Sequence, residues 1–256
     1  MSQTPLIIGH RGASAQAPEN TLAAFQMALD AGADGVEFDV QLSKDGVPVV
    51  IHDPNLLRTA AVDAKVADLA STELAQVDAG SWFNKAHPEL ADDLFVGQYI
   101  PTLSEVLRVV GWADGPIYIE LKSETPDVEA LCAAVCMEIR DSNLLPRIIV
   151  KSFRLGAIPM VRLLCPEVQT AALFAPNVKN LLKRKKHIIA IAREIGAHQL
   201  SLHFSLATPK LTALAAEANM PVTIWTADNR KWIKRCRKLG IKALITNDPT
   251  RLIAAA

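Results

Sequence analysis

Short apolar runs alternate with longer segments of helical periodicity from one end of the chain to the other. The apolar runs are Leu6–Gly9, Val36–Leu42, Val47–His52, Ile117–Leu121, Ile148–Phe153, Val168–Phe174, Gln199–His203, Val222–Thr226 and Ala243–Thr246. Runs this short, bounded by turn residues, predict strands. Between them the 3.6-residue spacing predicts helices over Thr21–Ala31, Leu103–Val110, Val128–Asp141, Leu155–Leu164, Val178–Ile195, Pro209–Ala218, Asn229–Leu239 and Pro249–Ala255. Only the second and third runs lack a helix between them; Ser43-Lys44-Asp45-Gly46 joins them, and Asp-Gly is a strong hairpin signal. With that pair read as an extended second strand and its return arm, eight strand–helix units remain. Eight such units predict a closed (β/α)₈ barrel, a TIM barrel, as a single domain over residues 1–256. Residues 53–100 break the rhythm with charges, small residues and Trp82-Phe83, and are read as an insertion of short helices over the catalytic face.

Composition narrows the class of partner. With 27 Lys plus Arg against 27 Asp plus Glu, the 256-residue chain has a formal net charge of zero. No overall field is available to hold nucleic acid or an anionic membrane surface, so a small anionic substrate must be captured locally. The N-terminus lacks the basic and apolar regions of a signal peptide, and no apolar run has the roughly 18 residues a membrane span needs. Cys132, Cys136, Cys165 and Cys236 lack metal or redox spacing and are expected as buried small hydrophobes. A soluble cytoplasmic protein is expected. The basic run Lys183-Arg184-Lys185-Lys186-His187 is read as a solvated helix face.

Polar residues with useful chemistry fall at the carboxyl ends of the predicted strands, where barrel active sites are built. His10 and Arg11 follow the first strand; Glu37 and Asp39 share one face of the second; His52 ends the return arm; Glu120 and Lys122 end the next strand. With Asp45-Gly46 as a two-residue turn, Lys44 pairs with Val47 and His52 lies opposite Asp39; a shift of one residue puts it opposite Glu37. Either register leaves the imidazole beside the carboxylate face, at a cross-strand Cβ separation of roughly 4.5–5.5 Å.

Two readings of the carboxylates stand side by side. Glu37, Asp39 and Glu120 are hard oxygen donors suited to Mg²⁺ or Ca²⁺, or else they pair with Arg11 and Lys122 as buried ion pairs. On the first reading Arg11 and Lys122 clamp an anion such as a phosphate, and the two histidines supply a general acid and a general base near neutral pH.

Several segments resemble one known family. His10-Arg11-Gly12 with Pro18-Glu19-Asn20-Thr21, Glu37-x-Asp39-Val40-Gln41-x-Ser43-x-Asp45-Gly46 running to His52-Asp53, and Asp78-Ala79-Gly80-Ser81-Trp82-Phe83 are similar to the glycerophosphodiester phosphodiesterases. So are Ile100-Pro101-Thr102-Leu103, Glu120-Leu121-Lys122, Trp225-Thr226 and Thr246-Asn247-Asp248-Pro249, in the expected order across nearly the whole chain. The resemblance implies metal-dependent hydrolysis of glycerophosphodiesters to glycerol 3-phosphate and an alcohol. It implies His10 and His52 as the acid/base pair with Arg11 on the phosphate, and Glu37, Asp39 and Glu120 as ligands of a divalent cation. Lys122, Asn20 and Trp225 are expected in the substrate site. The chain departs from the family at Ala60-Ala61-Val62-Asp63-Ala64, where a Gly-rich turn is common, and at Asp228, where Asn is common; the latter change is conservative. His203, at a strand end, could line the pocket or serve the core. Two rival activities are a lysophospholipase D-like hydrolysis of acylated substrates, and non-catalytic capture of glycerophosphate groups.

Overall fold

The computed structural model describes residues 4–176 and 185–254 of the chain. Nine strands form one sheet: β1 (Leu6–His10), β2 (Gly35–Leu42), β3 (Pro48–Val50), β4 (Ile117–Leu121), β5 (Ile148–Ser152), β6 (Gln169–Phe174), β7 (Gln199–His203), β8 (Val222–Trp225) and β9 (Ala243–Thr246). Eight run parallel in the order β1-β9-β8-β7-β6-β5-β4-β2, and a β1–β2 pairing closes them into a TIM barrel, leaving β3 as the antiparallel arm on β2. The helices outside the insertion are α1 (Leu22–Asp30), α5 (Leu103–Val110), α6 (Val128–Asp141), α7 (Ala157–Leu164), α8 (Lys185–Glu194), α9 (Pro209–Glu217), α10 (Lys231–Leu239) and the short α11 (Pro249–Ile253). The predicted helix Val178–Ile195 is described only over α8; its earlier part, including Lys183 and Arg184 of the basic run, and Ala255 lie outside the described residues.

Side chains alternate along each strand although the strands read as nearly continuous apolar runs. From β2, Val36, Phe38 and Val40 join the core between barrel and helices; so do Ile117, Ile119 and Leu121 from β4 and Ile148 and Val150 from β5. The intervening positions turn into the barrel. Its lower interior is filled by Ile8, Tyr118, Ile149, Ala171, Ala243 and Ile245. The same inward set carries Glu37, Asp39, Glu120 and Lys151 higher up, so a period of two delivers charged groups to the mouth and apolar ones to the floor.

The hairpin differs from the expected register. Val40 pairs with Val50, Gln41 with Val49 and Leu42 with Pro48, which makes a three-residue loop of Lys44-Asp45-Gly46. Ser43 closes it: its N–H donates to Val47 O (3.0 Å) and its Oγ accepts from Val47 N (2.9 Å), while Gly46 takes φ 78°. Extended two residues further, this register would put His52 opposite Phe38, on the outward face. The strand ends at Val50, one further backbone bond runs from Ile51 N to Asp39 O (3.0 Å), and the chain then bends at His52. His52 therefore reaches the site by leaving the strand, not by cross-strand pairing with Asp39.

Residues 53–100 hold three short helices, α2 (Leu57–Ala60), α3 (Ser71–Leu74) and α4 (Ser81–Ala86), with 3₁₀ turns at Val66–Asp68, Pro88–Leu90 and Asp93–Phe95. They have their own apolar cluster of Leu56, Val66, Leu74, Ala79 and Ile100, packed on Val49 and Ile51. Phe83 stacks edge-on with Phe95 at 5.5 Å, and the two form one apolar cluster with Ala17 and Ala24 of the β1–α1 region. The segment is thus bound to the barrel on the side from which β1 and β3 emerge. All four cysteines are buried and free, as expected. No helix among the described residues is long and apolar enough to cross a membrane.

Candidate active site

The parallel register brings the candidates to one height. His10 is level with Glu37, Asp39 with Glu120, and Glu120 with Lys151. The loop after β1 is shaped by two non-glycine residues in the left-handed region, Arg11 (φ 55°) and Asn20 (φ 59°). Such conformations cost energy and persist where surrounding contacts over-determine them. Here Arg11 N donates to Glu37 O (2.7 Å) and Asn20 N donates to Arg11 O (3.1 Å). Between them Gly12 (φ 84°) lies so close to α1 that a Cβ would meet Ala24 C at 2.4 Å, so only glycine fits. Asn20 also binds β2, its Nδ2 donating to Asp39 Oδ2 at 3.1 Å.

Glu37, Asp39 and Glu120 are buried and contribute one oxygen each to a set lying within 4.8 Å of one another. Both readings of these carboxylates meet here, because protein cations surround them. Arg11 Nε lies 3.0 Å from Asp39 Oδ2; Lys122 Nζ lies 3.4 Å from Asp39 and 3.0 Å from Glu120; Lys151 Nζ lies 2.7 Å from Glu37 Oε1 and 3.7 Å from Glu120. Asp39 is well satisfied: burial alone would raise its pKa, but Arg11, Lys122 and the two histidines hold it far below the ordinary carboxylate range. Glu120 is not. Burial, and then the charge of Asp39, push its pKa up despite Lys151 and Lys122. Glu37 Oε1 makes no aligned hydrogen bond, although Lys151 is near it. A crowded, incompletely compensated oxygen cluster is what a hard divalent cation relieves, so the donor set fits one.

Each histidine is held through Nδ1. His10 Nδ1 lies 2.6 Å from Asn247 Oδ1. Asn247 is itself fixed by Asp228, whose carboxylate accepts from Asn247 Nδ2 (3.0 Å), Asn247 N (2.8 Å) and the Thr246 hydroxyl (2.8 Å). That fixes the amide orientation, so the proton on the His10–Asn247 contact belongs to His10. His10 Nε2, the lone-pair nitrogen, then lies 3.8 Å from Glu37 Oε2. Burial, the largest cause, lowers the His10 pKa below its ordinary value, which keeps the ring neutral and able to accept a proton at pH 7. His52 Nδ1 lies 2.6 Å from Asp53 Oδ1, leaving its Nε2 for chemistry. His52 lines a small cavity with Glu19 and Asn20, the residue bonded to Asp39, so it borders the carboxylates from one side as His10 does beside Glu37.

The structure thus gathers His10, Arg11, Asn20, Glu37, Asp39, His52, Glu120 and Lys122. Trp225 packs on the apolar barrel interior within an aromatic wall, 5.4 Å from Phe153 and 5.3 Å from His203 by ring centroids, with both neighbours edge-on. Sequence reasoning missed Lys151, whose only signal was a lone lysine inside the apolar run Ile148–Phe153. It also passed over Asp228, where the family departure proves to orient the partner of His10.

Residues 10–251 match the Glycerophosphoryl diester phosphodiesterase family. A glycerophosphodiester phosphodiesterase of Caldanaerobacter subterraneus is 33% identical over 97% of this chain and 96% of its own. One of Bacillus subtilis is 36% identical over 95% of this chain and 84% of its own. Among solved structures, a phosphodiesterase of Oleispira antarctica, in complex with the product sn-glycerol-3-phosphate, superposes with a TM-score of 0.84 at 28% identity, covering 98% of this chain and 96% of that one. A glycerophosphodiester phosphodiesterase of Agrobacterium tumefaciens gives a TM-score of 0.80 at 26% identity, covering 98% and 99%. The fold and the buried carboxylate cluster beside two oriented imidazoles define a phosphoric diester hydrolase of the TIM-barrel class. The chain belongs to the glycerophosphoryl diester phosphodiesterase family.

Proposed function

We propose that this protein hydrolyses glycerophosphodiesters to glycerol 3-phosphate and an alcohol, with a divalent cation, Mg²⁺ or Ca²⁺, held by Glu37, Asp39 and Glu120. The observation that carries the reading is the pair of Nδ1-anchored imidazoles flanking a buried three-carboxylate cluster. A bound cation would supply fixed positive charge against the negative charge that develops on the phosphate. Arg11 and Lys122 present further positive charge from the same mouth, Arg11 through Nη2, the guanidinium nitrogen that neither Asp39 nor Glu19 takes. Of the two imidazoles, one takes a proton from the nucleophile while the other gives one to the leaving oxygen. Asn20 holds the first loop against Asp39 and so sets where Arg11 stands. On this reading residues 1–256 work as one cytoplasmic catalytic domain, residues 53–100 cover its catalytic face, and Trp225 lines the substrate site.

The test is product analysis over a panel of glycerophosphodiesters, with EDTA and metal add-back. Activity should disappear with chelator and return with Mg²⁺ or Ca²⁺. Release of glycerol 3-phosphate that survives exhaustive chelation would remove the metal from the reading, and no release under any condition would remove the activity.

One observation favours a second reading, hydrolysis of monoacyl glycerophosphodiesters in the manner of a lysophospholipase D. Leu57, Val62, Leu90, Leu94 and Val96, five of the exposed large hydrophobic residues among those described, all belong to the insertion. Such residues suit contact with an acyl chain. Assayed side by side, a higher kcat/KM for lysophosphatidylcholine than for glycerophosphocholine would select this reading, and the reverse would reject it.

A further inference from the structure

Two parts of the site that come from separate stretches of chain are joined by one side chain of the insertion. Glu19, in the loop after β1, accepts from Arg11 Nη1 at 2.8 Å and from Arg58 Nη1 and Nη2 at 2.9 and 2.8 Å. Arg58 then turns its Nε to Asp53 Oδ2 at 2.6 Å, and the other oxygen of Asp53 meets His52 Nδ1 at 2.6 Å. An unbroken chain of charge-assisted contacts therefore runs Arg11–Glu19–Arg58–Asp53–His52. We infer that Arg58 is a positioning residue for the phosphodiester reaction, acting on Arg11 through Glu19 and on His52 through Asp53. The inference rests on the function proposed above.

The physical case has two halves. Glu19 divides one negative charge between two guanidinium groups. With Arg58 absent, Arg11 is the one cation left to it, and the positive charge Arg11 can offer a phosphate is drawn toward Glu19. Arg11 Nη2, without a hydrogen-bond partner among the described residues, is the edge that would lose it. On the other side, Asp53 without Arg58 is free to rotate, and His52 loses the acceptor that fixes its tautomer. Only a guanidinium can do both tasks, because its fork takes Glu19 with two nitrogens while the third faces Asp53; an ammonium is a point charge. Arg58 is 43% exposed, so its ion pairs add little to global stability, and a functional effect should appear without a matching loss of fold.

The experiment compares wild type with Arg58→Ala, Arg58→Lys, Glu19→Gln and the double variant Arg58→Ala/Glu19→Gln. Each is assayed on glycerophosphocholine with Mg²⁺ or Ca²⁺, titrated calorimetrically with inorganic phosphate, melted thermally, and examined by ¹⁵N NMR of the His52 ring. Arg58→Ala should lower kcat/KM by about 10–100-fold, through both a lower kcat and a higher KM. Arg58→Lys should recover only part of this. Removing the Glu19 charge in the Arg58→Ala background should restore KM and phosphate affinity but not kcat, since the His52 arm stays loose. The His52 nitrogens should move from a fixed Nδ1–H pattern toward a tautomer average. Kinetic constants within twofold of wild type would overturn the inference, as would an activity loss that follows the melting temperature and ignores Glu19→Gln. If wild type hydrolyses nothing, the proposed function fails, yet phosphate affinity and the His52 ring signals still decide the relay on their own.

Discussion

Alanine in place of His10 or of His52 is expected to lower turnover of glycerophosphoethanolamine by roughly 10²–10⁴-fold, with Mg²⁺ present and the fold intact. Each imidazole is oriented from behind. Asn247 takes the Nδ1 proton of His10, and Asp53 takes that of His52, so each presents Nε2 forward. The two partners differ in charge, and that difference separates the variants. Asp53, itself bonded to Arg58, places a carboxylate directly behind His52. Asn247 is a neutral amide, and burial lowers the His10 pKa, so His10 is held neutral with the lone pair of Nε2 open to a proton. A substrate with a good leaving group, such as a p-nitrophenyl diester, needs no proton on its departing oxygen. It should rescue whichever histidine acts as acid; with the charged partner behind it, His52 is the histidine expected to be rescued. Near-normal turnover in both alanine variants would refute the acid/base assignment altogether. Rescue of His10→Ala but not of His52→Ala would reverse it.

The barrel could be read from the sequence because its strands announce themselves locally. Short β-branched runs alternating with helices leave few topologies once parallel pairing is assumed. The carboxylates were legible for a related reason. Glu37 and Asp39 interrupt an apolar run at a spacing of two, and nothing but an inward site excuses buried acids there. The hairpin register was not legible. It turns on Ser43, whose hydroxyl accepts the Val47 N–H and admits one more loop residue than Asp-Gly alone suggests. That side-chain substitution for a backbone contact leaves no periodic trace in sequence. Asp228 and Arg58 were hidden by distance along the chain: Asp228 acts 19 residues away on Asn247, and Arg58 acts 39 residues away on Glu19. Lys151 was overlooked because one lysine in a strand ordinarily extends its stem toward water. Only barrel closure, with β5 beside β4 and β4 beside β2, shows that its ammonium ends against Glu37 and not in solvent.

Lys151→Met should therefore be among the most destabilising substitutions in the metal-free protein. Lys151 is 1% exposed and Glu37 fully buried, with 2.7 Å between Nζ and Oε1. Methionine keeps nearly the same length and removes the charge, leaving a buried carboxylate cluster that has lost one of its three cations. Breaking a buried pair from one side costs about 3–5 kcal/mol, against 0–1 kcal/mol for an exposed pair. In EDTA this corresponds to a fall in melting temperature of roughly 6–20 °C, at about 2–4 °C per kcal/mol for a chain of this size. Divalent cation should reverse much of it. A cation held by Glu37, Asp39 and Glu120 replaces the missing charge, and it no longer competes with an ammonium for Glu37. The rise in melting temperature on adding Mg²⁺ or Ca²⁺ should thus be larger in the variant than in wild type, because ligand that binds only the folded state stabilises in proportion to the logarithm of its affinity. Adding Glu37→Gln to Lys151→Met should restore much of the metal-free stability, since no buried charge is then left without its partner, while abolishing the extra metal response. Equal metal-induced shifts in wild type and Lys151→Met would mean that Lys151 and the cation do not share Glu37. The carboxylates would then be a structural ion-pair network, and the metal would have to be sought elsewhere.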